Sequence, residues 1–462
     1  MHTLLTLART RLAHPALARV ALAALAGLAL LPFSAAFSRP AHAMEIQKVK
    51  SPGGLEAWLV EEHGNPMMAL RFSFEGGSAQ DPDGKDGVAN FMTAMMDEGA
   101  GDIKSGEFQE RMEDIAMRMN FDDSKDSFYG NLETLTVHRA KATELLRLAV
   151  TAPRFDGDAV DRIRKQLLAN LAYAERDPEK VSGKEWNALA YPGHPYGRPA
   201  QGTAASLEAI TSADLQAFRK KNFAKSNLKI VAVGDIDAAE LGKMIDAVFG
   251  TLPDKADLKP VAMVNLAAGQ VKLVEMNVPQ SVATFGAPAM ARKDPDFMTG
   301  FVLNQLFGGG GFASRLMEEV REKRGLAYSV YSYLLPMKKS ALLTGGVATK
   351  SEAIDESLKL IRAEFQRMAD EGPSETELAN AKSYLTGSYA LRFDSNSKIA
   401  SQLLGLMDEG FGPDYIDKRN SLIEAVTMAD AKRVAKTLFD QKNLIVTVVG
   451  RPPVAKTAGD KG

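Results

Sequence analysis

The segment Glu208-Ala209-Ile210-Thr211-Ser212-Ala213-Asp214 returns 216 residues later as Glu424-Ala425-Val426-Thr427-Met428-Ala429-Asp430. At the same offset, Asn227-Leu228-Lys229-Ile230-Val231-Ala232-Val233-Gly234 returns as Asn443-Leu444-Ile445-Val446-Thr447-Val448-Val449-Gly450. Between Glu208 and Gly234 eleven positions are identical without a gap. A register kept through a helix and a strand marks an internal duplication. The Thr in each copy reads as the N-cap of the helix that follows. The Val/Ile-rich run ending in Gly reads as a buried strand. The chain is therefore expected to be two related halves, 44–260 and 261–452. The stretch 253–260, rich in Asp, Lys and Pro, reads as a linker, and 453–462 as a frayed tail.

Each half mixes strands and helices. Residues 55–60 and 68–74 read as strands. The Gly76-Gly77 turn and the loop 81–87 lead into a helix over 88–97. Val160, Ile163, Leu167, Leu168 and Leu171 have helical spacing. In the second half Gly308, Gly309, Gly310 and Gly311 precede a helix from about Ser314, and a strand follows over 327–334. Strands grouped with helices, without strict alternation, indicate α+β layers.

The first 43 residues differ from the rest. They hold Arg9, Arg11, Arg19 and Arg39, no acidic residue, and an apolar run over 20–31. Ala41-His42-Ala43 is a small-x-small signature, so a secretory signal peptide cut after Ala43 is expected. The apolar run is too short for a membrane anchor and is followed by Pro32; no later stretch is long enough to span a bilayer. The chain has no cysteine. Export without disulfides fits a bacterial periplasm. Losing four arginines takes the formal charge from −2 to −6, and mild acidity of mixed sign argues against a nucleic-acid partner.

Several chemistries are excluded. Of six histidines, His2, His14 and His42 lie in the leader; His63, His138 and His194 remain. No two stand at ligand spacing, and with no Cys a His/Cys zinc centre is not expected, which leaves a site built mainly of carboxylates open. There is no Gly-x-Ser-x-Gly elbow. Gly84-Lys85-Asp86 lacks the Ser or Thr of a phosphate loop. The four glycines at 308–311 lack the acidic partner of a dinucleotide fingerprint.

Together, the duplicated halves, the His194-Pro195-Tyr196-Gly197-Arg198-Pro199 segment with Gly202, and the run from Gly308 to Tyr328 resemble the pitrilysin-like metallopeptidases, the inverted zincins. That family implies two α+β halves, each a mixed antiparallel sheet packed with helices, arranged as a clamshell. In its active members a first-half helix carries His-x-x-Glu-His: two zinc ligands and the Glu that activates water. Here the matching helix places Asn90, Thr93 and Ala94 at those positions. A distal Glu ligand is matched by Asn170. All four metal roles are lost, so this chain is expected to hold no cofactor. The stretch 120–132 matches the family's substrate-edge strand.

The family's Arg and Tyr, seven positions apart, are matched by Arg321 and Tyr328. The Gly325 turn between them lets both side chains reach one side, where a guanidinium and a phenol can stabilise an oxyanion. Read alone, Arg321 is equally a solvated charge among Glu318, Glu319, Glu322, Lys323 and Arg324, and Tyr328 a packing residue. Gly308 to Gly311 read either as a substrate-binding approach or as a turn that lets backbones pack closely. His194 reads as structural. The resemblance implies a non-catalytic subunit of a heterodimeric zinc peptidase. Its partner would carry His-x-x-Glu-His and the zinc, and a peptide would be the substrate. The alternative is a peptide-binding or scaffold protein of the envelope with no role in proteolysis.

Overall fold

A computed structural model describes residues 44–450 except 268; the leader 1–43 with its cleavage point, and the tail 453–462, lie outside the described residues. From Ile46 the described chain forms one compact unit. The first sheet contains β1 (Gln47–Lys50), β2 (Glu56–Glu61), β3 (Met67–Glu75), β6 (Arg118–Asp123), β7 (Ser127–Leu135) and β8 (Leu228–Gly234). A two-residue ribbon, β4 (Gly99–Ala100) with β5 (Ile103–Lys104), stands apart from it. The second sheet contains β9 (Val271–Glu275), β10 (Gln280–Pro288), β11 (Ala327–Pro336), β12 (Ala341–Lys350) and β13 (Ile445–Gly450).

The duplication extends to topology. The first sheet runs β1-β2-β8-β3-β7-β6, and the second, read from its far edge, runs β9-β13-β10-β12-β11. In each, the strand that closes the repeat lies parallel to the first long strand and antiparallel to the next. The two copies of the Val/Ile-rich segment are β8 and β13. Thr211 and Thr427 cap the helices before them, each accepting from the N–H of an Asp three residues on. The repeated Asp matters because its side chain returns the bond to the cap, closing the first turn; Asp214 accepts from the Thr211 N–H at 2.8 Å.

Ten helices matter for the argument. In the first half they are α1 (Val88–Thr93), α2 (Arg139–Thr151), α3 (Gly157–Ala174), α4 (Pro178–Ala190), α5 (Ser212–Asn222) and α6 (Ala238–Phe249). In the second they are α7 (Phe297–Asn304), α8 (Ile354–Glu371), α9 (Asn396–Asp408) and α10 (Met428–Leu438). One core takes Phe72, Phe74, Phe91, Leu146 and Phe249 from sheet and helices of the first half. The other takes Phe285, Phe307, Phe365 and Phe439 from the second.

Two helices cross over. Helix α4 leaves the first half and packs on β10 and β13. Its Ser182 hydroxyl donates to Thr284 at 2.8 Å, and the Trp186 indole N–H donates to the Ile445 carbonyl at 3.1 Å. Helix α9 leaves the second half and packs on β3 and β8. There Asp408 accepts from Ser73 at 2.7 Å, and the buried Arg71 bonds Ser397 of α9 and pairs with Glu133 at 2.6 Å. The outcome is an α+β clamshell whose two half-shells each carry a helix of the other.

Two expected helices are shorter than their sequences suggest. The one expected over 88–97 ends at Thr93. Met95 and Met96, just past its end, are both fully buried. The chain tightens instead, with Ala94 and Met95 N–H groups bonding three residues back. The helix expected from Ser314 becomes a π-helical turn over Met317–Glu322, with Lys323 N–H bonding the Glu318 carbonyl five residues back. The stretch 120–132 is two strands: β6, which is the free edge of its sheet, and most of β7.

Candidate functional site

The helix that the resemblance matches to a zinc motif is α1. Asp81 caps it, accepting from the N–H groups of Gly87 at 2.7 Å and Ala89 at 2.9 Å. Asn90 donates through its amide to Asp123 of β6 at 3.2 Å. Thr93 turns its hydroxyl back onto the Asn90 carbonyl at 2.7 Å. Ala94 offers only a methyl and packs on the first core. Asn170 lies exposed on α3. These positions do not fit a zinc ion: one amide is spent on a carboxylate, one hydroxyl on the backbone, and one position has no donor. Among the described residues no group of three or more His, Cys, Asp or Glu is placed to hold a metal.

Carboxylates near this helix are perturbed. Burial pushes Asp81 up to about 7, against the two backbone N–H groups and the charge of Arg198 that favour its ionised form. Burial likewise raises Asp123 to about 6, eased by the Asn90 amide. The Lys125 ammonium is held below its usual range by burial. None of these three residues stands out in the sequence, because each shift depends on what the fold packs around it.

The second half brings Arg321 and Tyr328 together. Arg321 lies in the π-helical turn Met317–Glu322. Tyr328 is the extra residue of a β-bulge: Ala327 pairs with Thr349 and Ser329 with Ala348, leaving Tyr328 unpaired. A bulge re-aims a side chain, and Tyr328 is 84% exposed. Gly325, at φ +62°, reverses the chain between them. The Arg321 guanidinium carbon lies 4.9 Å from the centre of the Tyr328 ring. It also lies 4.5 Å from the ring of Phe312. A cavity of about 660 Å³ opens here, lined by both residues with Gln280, Glu322, Ser329 and Lys350.

The charged neighbours of Arg321 are otherwise engaged. Lys323 and Arg324 both hold Glu319, each at 2.7 Å, and Lys323 also meets Glu318. Among the carboxylates of the described residues, Arg321 meets only Glu322, at 3.6 Å through Nε. Gly308 is buried against β11, where a Cβ would sit 2.4 Å from the Ser332 hydroxyl and 2.7 Å from its backbone nitrogen. Gly309 and Gly311 are at the surface beside Phe312. Phe312 is the residue sequence reading missed; its only signal is its place directly after the glycine run. His194 caps the short turn Pro195–Gly197, and its Nε2 lies 3.1 Å from the Ala262 carbonyl.

A second cavity, of about 870 Å³, lies between the half-shells and is lined by Arg71, Lys125, Tyr129, Lys338 and Asp408 among others. Its wall is braced by Asp126, which accepts from the Tyr196 hydroxyl and from the Lys338 N–H at 3.0 Å.

Comparison with known proteins agrees with this geometry. Residues 58–204 match the family model described as insulinase, peptidase family M16, and 209–385 match the peptidase M16 inactive domain. The non-peptidase homolog YmxG of Helicobacter pylori is 28% identical over 78% of this chain and 82% of its own length. An uncharacterised zinc protease of Streptomyces coelicolor is 26% identical over 86% and 88%. The mitochondrial-processing peptidase subunit beta of Blastocladiella emersonii is 24% identical over 87% and 88%. Among solved structures, a peptidase M16 inactive domain from Pseudomonas fluorescens superposes with a TM-score of 0.84 at 29% identity, covering 90% of this chain and 99% of that one. A protease from Helicobacter pylori shares the fold, with a TM-score of 0.80 at 18% identity over 88% and 100%. With matches across both halves, the chain belongs to the pitrilysin-like M16 peptidase family as an inactive member.

Proposed function

We propose that this chain is the non-catalytic subunit of a heterodimeric zinc metallopeptidase acting on peptides in a bacterial periplasm, reached by a leader cleaved after Ala43. The observation that carries the reading is the pairing of Arg321 with Tyr328 on a chain whose own metal positions hold no ligands. The partner is a His-x-x-Glu-His relative, whose zinc supplies the activated water. This chain contributes the Arg321 guanidinium and the Tyr328 hydroxyl as donors to the substrate carbonyl oxygen, where charge develops during attack. The exposed Gly309 and Gly311, with half-buried Gly310 between them, lead up to Phe312 against Arg321 and give a peptide room to approach, with Gly308 anchoring the run.

The test is reconstitution. The mature chain alone should carry no stoichiometric zinc and cleave no peptide. Mixed with a His-x-x-Glu-His partner it should cleave, and Arg321→Ala or Tyr328→Phe should lower kcat by roughly 100- to 1,000-fold, the range for loss of one oxyanion donor. Stoichiometric zinc or full activity in the isolated chain overturns the proposal. Unchanged turnover by both variants favours the alternative, an envelope scaffold or peptide-binding protein without a role in proteolysis.

A further inference from the structure

An arginine on a surface turn has rotamer freedom to lose before it can serve as a fixed donor. Carboxylates usually provide the restraint, and here they do not. Glu318 and Glu319 are taken by Lys323 and Arg324, and Glu322 stands 3.6 Å away. What lies against the guanidinium is aromatic: the Tyr328 ring at 4.9 Å and the Phe312 ring at 4.5 Å. A ring face attracts a guanidinium and leaves its in-plane N–H groups free for an incoming oxygen.

Phe312 itself has no other evident task. It is 68% exposed and belongs to neither core. Its position is nonetheless fixed. Gly311 before it adopts φ +57°. The Ser314 hydroxyl and N–H both return to the Gly311 carbonyl, at 2.7 and 3.0 Å, closing a tight turn around it. An exposed phenyl on a locked turn, within cation–π distance of an arginine that no carboxylate holds closely, is placed to restrain that arginine. We infer that Phe312 is a positioning residue for Arg321, presenting its N–H edge beside Tyr328; its effect on turnover rests on the peptidase-subunit reading, its effect on Arg321 does not.

Two measurements separate these. In the isolated chain, the Arg321 Nε–Hε group is followed by NMR relaxation. Phe312→Leu should make it markedly more mobile, while Phe312→Tyr, which keeps the ring, should leave it ordered. Equal order in Phe312→Leu and the parent overturns the inference. In the reconstituted pair, Phe312→Leu should lower kcat/KM by roughly 3- to 30-fold through kcat, in line with a cation–π contact, with Phe312→Tyr close to the parent. That loss should vanish in an Arg321→Ala background. A loss that persists there also overturns the inference. If no partner yields activity while Arg321 loses order in Phe312→Leu, the subunit reading fails and the role of Phe312 stands.

Discussion

A carboxylate sealed at the mouth of a helix is pulled two ways. Asp81 is 2% exposed and accepts from two backbone N–H groups, which favour its charge, yet loss of water outweighs them and raises it to about 7. A carboxyl whose folded value exceeds its unfolded one binds more protons in the folded state between the two values, so stability falls as pH rises through that window. Asp123, raised to about 6, acts in the same direction. Thermal melts should therefore show a Tm declining from pH 5 to pH 8, with Asp81 contributing on the order of 2–4 kcal/mol to the total loss of stability. Asp81→Asn should flatten it; a Tm rising over that range in the parent would refute the assignment. Little of this was legible beforehand. That Asn90, Thr93 and Ala94 cannot replace His, Glu and His needs only residue identities. That Asp81 is buried, or that Phe312 meets Arg321, depends on tertiary contacts no local pattern encodes.

Between Asn304 and Ala327 the chain departs from regular helix twice, at the π-helical turns Gln305–Gly309 and Met317–Glu322. Such turns occur often at functional sites, and here they flank Phe312 and contain Arg321. The first seats Gly308 against Ser332 of β11, so Gly308→Ala should cost about 1–3 kcal/mol through overpacking. Gly106→Ala, at an exposed position of the helix Ser105–Glu113 with open space at its Cβ, should instead stabilise by about 0.5–1 kcal/mol. Urea titrations of the two variants make the comparison; equal effects would mean that Gly308 is not a packing position. At this scale strands were the most readable elements. β2 and β3 fall within a residue of their expected bounds because alternating or continuous apolar runs mark them. Helix ends were not, since Met95 with Met96 and the π-helical turns obey packing, and packing is absent from local periodicity.

The duplicated sheets were visible in one 216-residue offset, but the exchange of α4 and α9 was not, because crossing from one sheet to the other changes no helical pattern. The exchange makes the halves interdependent. Trp186, 3% exposed on α4, fills the space left by Gly286 of β10. Trp186→Ala should cost about 3–5 kcal/mol, and a calorimetric scan should show one transition shifted as a whole. Two separate transitions, with only one displaced, would show that the halves unfold independently. Expressed alone, residues 44–260 should bind a hydrophobic dye, since the face of the first sheet that α9 covers is then bare, and adding 261–450 should suppress the signal.

The bond from Trp186 to Ile445 joins residues 259 positions apart. Helix α4 leaves the ribosome long before β13, the strand it must rest on. The first sheet likewise waits for α9, which follows its last strand by most of the second half. Closure over such sequence distances is slow. The native state is thus reached only after nearly the whole chain has been synthesised, because each half-shell is completed by an element of the other.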